Sequence, residues 1–184
     1  MNKTSKLVKL KKRILSLNYI FQGKNLVFSD GNYNAKVMII GEAPGRTEDK
    51  LQKPFVGRAG KLLDSLLQSI CLDRSKVYIT NLVNYRPDKN RKPTSEEIKK
   101  FKELLFKHIE IISPKCILLL GKTAATAVLN HIGPLSKVRG KWKNIKINNS
   151  YYFALATFHP AFLLRQPSQK KFVLKDLFKF LKKL

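Results

Sequence analysis

The sequence predicts a single three-layer α/β/α domain with a central, mostly parallel four-stranded sheet. Three observations lead there. Short apolar runs stand at Lys36–Ile40, Val77–Val83, Cys116–Leu120 and Tyr152–Ala156, each with the length and aliphatic character of a buried strand. Helical periodicity separates them, and strands alternating with helices specify right-handed crossovers between parallel strands. No repeat, low-complexity linker or change of composition divides the 184 residues, a length that suits one domain.

The elements follow in chain order. Residues 4–18 carry a basic, weakly helical pattern, so positions 1–24 form a helical extension of the domain and 25–184 its body. Val27-Phe28 leads to the turn residues Asp30-Gly31-Asn32, and the strand at 36–40 runs into a loop over 41–57. Leu62, Leu63, Leu66, Leu67 and Ile70 mark a helix by their spacing. After the strand at 77–83, Arg86-Pro87-Asp88-Lys89-Asn90 breaks the chain with turn residues. Thr94, with Glu97 three residues on, caps a helix running to about Ile112, as a capping box does. Cys116–Leu120 precedes a helix over Lys122–Leu129, and the strand at 152–156 leads into Thr157-Phe158-His159-Pro160. Val173, Leu174, Leu177, Phe180, Leu181 and Leu184 give a final amphipathic helix.

Charge narrows the partner. Lys and Arg total 37 against 12 Asp and Glu, a formal net charge of +25. Codon bias inflates Lys, but it does not make acids scarce, so the balance points to nucleic acid rather than to a membrane surface. No run approaches the roughly 20 apolar residues of a membrane span, and the Lys-rich start has no signal-peptide core. Cys71 and Cys116, the only cysteines, sit among apolar neighbours and read as reduced core residues of an intracellular protein.

Against that basic background, Gly41-Glu42-Ala43-Pro44-Gly45-Arg46-Thr47-Glu48-Asp49 places three carboxylates at the carboxyl end of a strand, where α/β sheets bind ligands. Leu120-Gly121-Lys122-Thr123 matches the end of a phosphate-binding loop, but Cys116 stands where that loop needs its first Gly, so a triphosphate cannot be wrapped. His108, His131 and His159 form no metal-ligand spacing, which leaves zinc chemistry without a basis. His159 follows a strand and precedes Pro160. Asn81 ends another strand, where it either ties down the next loop or reads a base edge with one donor and one acceptor. Phe55 serves equally as core or as a stacking platform.

Taken as an ordered set, these segments resemble the uracil-DNA glycosylases, and most nearly the fourth, bacterial and archaeal family. The resemblance rests on Gly41-Glu42-Ala43-Pro44-Gly45 with Glu48-Asp49 and Pro54-Phe55-Val56-Gly57-Arg58-Ala59-Gly60. It continues through Tyr78-Ile79-Thr80-Asn81, Arg86-Pro87, and His159-Pro160-Ala161-Phe162-Leu163-Leu164-Arg165. It implies a catalytic group of Glu42, His159, the backbone at Ala43, Glu48 and Asp49. Glu48 and Asp49 serve equally well as helix or loop caps. Phe55, Asn81, Gly41 and Gly45 would hold the base. Arg58, Arg86, Phe162, Leu163, Leu164 and Arg165 would hold DNA, with Leu163 first among the residues able to wedge into the vacated stack.

The resemblance also implies a departure. Family members usually hold a [4Fe–4S] cluster on four cysteines. Here no Cys precedes Cys71, and the third and fourth ligand positions are Tyr85 and Phe101, which cannot replace thiolates. The expectation is therefore no cluster and no other metal, with aromatic packing in its place. The implied protein is a cytoplasmic, nucleoid-associated monomer that acts on uracil-containing DNA and has no membrane contact. A damage sensor with an inactive glycosylase fold is the competing expectation. A glycosylase for hypoxanthine, xanthine or mismatched thymine is another.

Overall fold

The computed structural model describes residues 2–184. Its strands are β1 (Asp30–Gly31), β2 (Val37–Gly41), β3 (Val77–Asn81), β4 (Cys116–Leu120), β5 (Trp142–Ile147) and β6 (Ser150–Thr157). They form one six-stranded sheet in the order β1-β3-β2-β4-β6-β5. The four expected strands are its centre, and β3-β2-β4-β6 are parallel throughout. Two antiparallel edges enlarge the expected four-stranded sheet: β1 beside β3 and β5 beside β6. Their sequences hide them. β1 is two residues long, and β5 reads Trp-Lys-Asn-Ile-Lys-Ile, a lysine-bearing edge that discourages further pairing. Asn148 turns the β5–β6 hairpin with φ of 50°, a conformation Asn tolerates.

Among the described residues, seven α-helices surround the sheet: α1 (Lys3–Leu15), α2 (Arg46–Leu51), α3 (Arg58–Gln68), α4 (Ser95–Ile112), α5 (Lys122–Leu129), α6 (Pro160–Arg165) and α7 (Lys170–Leu181). Successive strand residues point to opposite faces, so each central strand feeds two cores. Met38, Ile40, Ile117 and Leu119 pack with α1, α4 and α5. Val37, Ile39, Leu118 and Leu120 pack with α3, α6 and α7. The three layers are thus as expected. The basic extension docks on this scaffold through Leu10 and Ile14 of α1.

Side-chain caps mark the starts of α1, α4 and α6. Thr94 Oγ1 accepts the Glu97 N–H at 3.2 Å, and Glu97 Oε2 accepts the Thr94 N–H at 2.8 Å, the reciprocal pair of a capping box. One correction falls in the segment over 41–57, which contains α2 and not only loop; no residue of α2 is buried, so no apolar stripe announces it. Another concerns Cys71. It is exposed just beyond α3, where its backbone turns left-handed at φ of 57°; Cys116 is buried in β4.

Candidate active site

The loops after β2, β3 and β6 converge at the carboxyl edge of the sheet and enclose a cavity of about 180 Å³. Glu42, Ala43, Gly45, Glu48, Phe55, Asn81 and His159 line it. Gly41 lies behind this group and makes the meeting possible. A Cβ at Gly41 would stand 2.3 Å from Asn81 Oδ1 and 2.5 Å from Phe55 Cζ, so any side chain there would drive the two apart.

Phe55 is held in a conformation that a non-glycine residue seldom takes, with φ of 55°, and such a residue needs support from its surroundings. Arg74 supplies part of it by donating to the carbonyls of Phe55 and Pro54. The same guanidinium pairs with Asp30 at 2.7 Å and Asp64 at 2.9 Å. On the other side Glu48 Oε1 accepts the N–H groups of Val56 at 3.0 Å and Gly57 at 2.7 Å. Gly60 makes room, since a Cβ there would lie 1.8 Å from the Phe55 oxygen. The aromatic ring is therefore fixed through its backbone.

Asn81 ends β3 directly beside Gly41 of β2. It is only 2% exposed, and its Oδ1 is buried with no hydrogen-bond partner. An acceptor left unpaired in the interior costs roughly 1–3 kcal/mol, and this one stands in the cavity lining, open to a donor there.

His159 caps α6, and its Nδ1 accepts the Ala161 N–H at 3.1 Å. In the neutral ring this leaves the proton on Nε2 as a donor. Burial, reinforced by Arg165 and opposed by Glu48, pushes the His159 pKa down to about 4. The imidazole is uncharged at neutral pH. Its ring lies 5.6 Å from that of Phe55, tilted by 32°. Behind it Thr157 Oγ1 donates to Asp176 at 2.7 Å. Asp176, 3% exposed, also pairs with Arg139 at 2.9 Å. Burial raises the pKa of its carboxyl, and the bonds from Thr157 and Arg139 oppose that rise.

The remaining acids part company. Glu42 reaches the cavity, and its Oε2 accepts a hydrogen bond from Thr123 Oγ1. Asp49 lies outside the lining and instead accepts the Asn25 N–H at 2.8 Å. Gly45 caps α2 and abuts Glu48, whose Oε2 would be 2.8 Å from a Cβ placed there.

Among the DNA-facing candidates, Arg58 is exposed at the start of α3 and Arg165 at the end of α6. Arg86 Nε donates to Asn90 Oδ1 at 2.7 Å. Leu163 departs from expectation: it is fully buried in the core because the inward face of α6 needs an apolar anchor. Leu164, 39% exposed, and the half-buried Phe162 are the apolar side chains left at the surface.

Sequence reasoning missed Arg74, Arg91, Thr123 and the Arg139–Asp176 pair. Arg91 lines the cavity and grips Glu97 with two bonds of 2.8 and 2.6 Å. Only Thr123 carried a local signal, as part of the rejected phosphate-loop fragment.

Tyr85 and Phe101 are fully buried. Tyr85 stacks on Phe21 at 5.4 Å between ring centroids, and Phe101 meets both edge-on at 6.2 and 5.9 Å. These donors do not fit an iron–sulfur cluster, which needs thiolates. Among the described residues no group of three or more His, Cys, Asp or Glu side chains gathers to hold a metal ion. No helix among them is long and apolar enough to cross a membrane.

Comparison with known proteins identifies the family. The sequence model of the uracil DNA glycosylase superfamily matches residues 28–182. The chain is 40% identical over 151 residues to the type-4 uracil-DNA glycosylase of Archaeoglobus fulgidus, covering 80% of this chain and 76% of that one. It is also 40% identical over 168 residues to the type-4 enzyme of Thermotoga maritima, covering 86% and 84%.

Proposed function

Since the chain belongs to the uracil-DNA glycosylase superfamily, we propose that it is a monofunctional glycosylase that flips uracil from DNA and hydrolyses its N-glycosidic bond. The product is an abasic site, the first intermediate of base excision repair. The buried, unpartnered Oδ1 of Asn81 carries the reading. Uracil presents N3–H to that oxygen and O4 to the amide N–H of the same side chain, while Phe55 stacks on the ring. A stacked base in duplex DNA reaches neither group, so flipping is required.

Cleavage sends the electron pair of the C1′–N1 bond onto uracil, with charge gathering on O2. The neutral His159 ring donates Nε2–H to O2, helped by the backbone N–H groups of Glu42 and Ala43. Water adds to the oxocarbenium-like C1′ and gives up its proton to Glu42, whose carboxylate also stabilises the sugar cation. Glu48 acts from a distance by holding the Phe55 loop and closing the cavity beside Gly45. Arg58, Arg86 and Arg165 hold phosphates. Leu164 with Phe162 fills the gap left by the base. The enzyme works as a cytoplasmic monomer on nucleoid DNA and carries no cluster, its place taken by the aromatic trio of Phe21, Tyr85 and Phe101.

The test is incubation with labelled oligonucleotides carrying uracil, hypoxanthine, xanthine or a G·T mispair, followed by alkaline cleavage. Breaks at uracil are expected. Breaks only at another base would reassign the substrate. No breaks with any of them would leave a damage-binding protein.

A further inference from the structure

The Gly121-Lys122-Thr123 turn is the one sequence motif that neither phosphate binding nor base recognition absorbs. It joins β4 to α5 between the two catalytic groups. Towards His159, Gly121 donates its N–H to the Thr157 carbonyl at 2.9 Å. Its φ of 90° and missing side chain admit His159, whose Cβ would be 3.1 Å from a Cβ at Gly121. Towards the opposite wall, Thr123 Oγ1 donates to Glu42 Oε2 across 81 residues of sequence.

That hydroxyl has no local duty. The N-cap of α5 is Gly121, with no side-chain capping bond, so Thr123 does not serve the helix end in the usual way. Its bond to Glu42 is the only side-chain hydrogen bond Glu42 makes among the described residues. A Glu side chain turns about several bonds, and a carboxylate meant to meet one water and one sugar carbon must be held in a single orientation. A β-branched Thr on a helix has few rotamers, which makes it a stiff donor. Bonds from a hydroxyl to a carboxylate are also among the stronger kinds.

We propose that Thr123 is a positioning residue of the glycosylase reaction, fixing the Glu42 carboxylate for the attacking water and the developing sugar cation. This rests on the role given to Glu42 under the proposed function. Thr123 touches neither base nor sugar itself. Its contribution belongs to the chemical step and not to DNA affinity.

Four variants test it: Thr123→Val, Thr123→Ser, Glu42→Gln and the double variant Glu42→Gln/Thr123→Val. Uracil release is measured in single turnover at saturating enzyme, alongside affinity for an abasic duplex and the melting temperature. The valine variant is expected to lose about 10- to 100-fold in rate, the size of loss that a misplaced catalytic group causes, with affinity unchanged and only a small drop in melting temperature from the lost bond. Serine restores most of the rate, and valine adds no loss once Glu42 is Gln. Full rate in Thr123→Val, equal losses in both backgrounds, or failure of serine to rescue would each overturn the proposal. Wild-type rate in Glu42→Gln would remove Glu42 from the chemistry and this role with it. A wild-type protein that releases no uracil would instead defeat the glycosylase reading.

Discussion

Glu48 and Gly57 are joined directly: the Glu48 carboxylate accepts the Gly57 N–H at 2.7 Å and closes the amino terminus of α3. A carboxylate suits that end of a helix, where unpaired N–H groups and a partial positive charge gather. The same oxygen holds Val56 at 3.0 Å, so its removal frees the segment that carries Phe55. Glu48→Ala is expected to lose about 1–2 kcal/mol of stability, the usual size of a lost cap. Glu48→Gln, which keeps an acceptor oxygen, recovers most of it. Thermal melts of both variants decide the matter, and an alanine variant melting like wild type would dismiss the clamp.

Asn81 is expected to separate activity from stability. Asn81→Ala removes the base-edge contact and lowers single-turnover uracil release by about 100-fold or more. It also removes a buried oxygen that the folded protein leaves unpaired, which offsets the small loss of packing. The melting temperature is therefore expected to hold or rise. A variant that loses stability and keeps its rate would show Asn81 to be a loop anchor.

Two histidines set the acid limit, His108 buried in the core and His159 half-buried at the cavity wall. Burial lowers the pKa of His108 to about 3, and that of His159 to about 4, against about 6.5 in the unfolded chain. Below 6.5 the unfolded state takes up protons that the folded state refuses. Stability is thus complete above that pH and falls as pH drops, through about 4 for His159 and further for His108. The slope is at most about 1.4 kcal/mol per pH unit for each ring. Urea unfolding between pH 7 and pH 4.5 measures it, and His159→Gln halves the histidine part. An imidazole resonance of His159 that titrates near 6.5 would contradict the desolvated, neutral ring.

Iron content tests the aromatic trio. Protein purified without added iron is expected to hold essentially no iron and to keep its activity in chelator. About four irons per chain would refute this. Phe101→Ala, which opens a cavity among three packed rings, is expected to cost about 3–5 kcal/mol, measured by denaturant unfolding.

What the sequence made legible follows from how far each signal reaches. Buried parallel strands are continuous apolar runs, so all four central strands stood out, as did Thr94 with Glu97, whose capping box spans four residues. Gly41, Asn81 and His159 were visible because strand ends are where such a sheet binds ligands. Edge strand β5 stayed hidden because its lysines face solvent, and α2 because it buries nothing. Arg74 was beyond reach, since its partners Asp30 and Asp64 lie 44 and 10 residues away and only the folded chain brings them together. Leu163 and Leu164 look alike in sequence; the turn of α6 alone decides which is buried.

The double restraint on Phe55, Arg74 on its carbonyl and Glu48 on the next two amides, has a thermodynamic consequence. A loop that must order itself around a ligand gives up part of the contact energy to conformational entropy. Here the platform is held by the protein's own bonds on both sides of Phe55. Free uracil is therefore expected to bind with little entropic penalty beyond its own immobilisation, and calorimetry of its binding would read this directly. Freeing Arg74 as well as Glu48 would turn the same contacts into an enthalpy gain largely cancelled by ordering, with weaker affinity from an unchanged set of touching atoms.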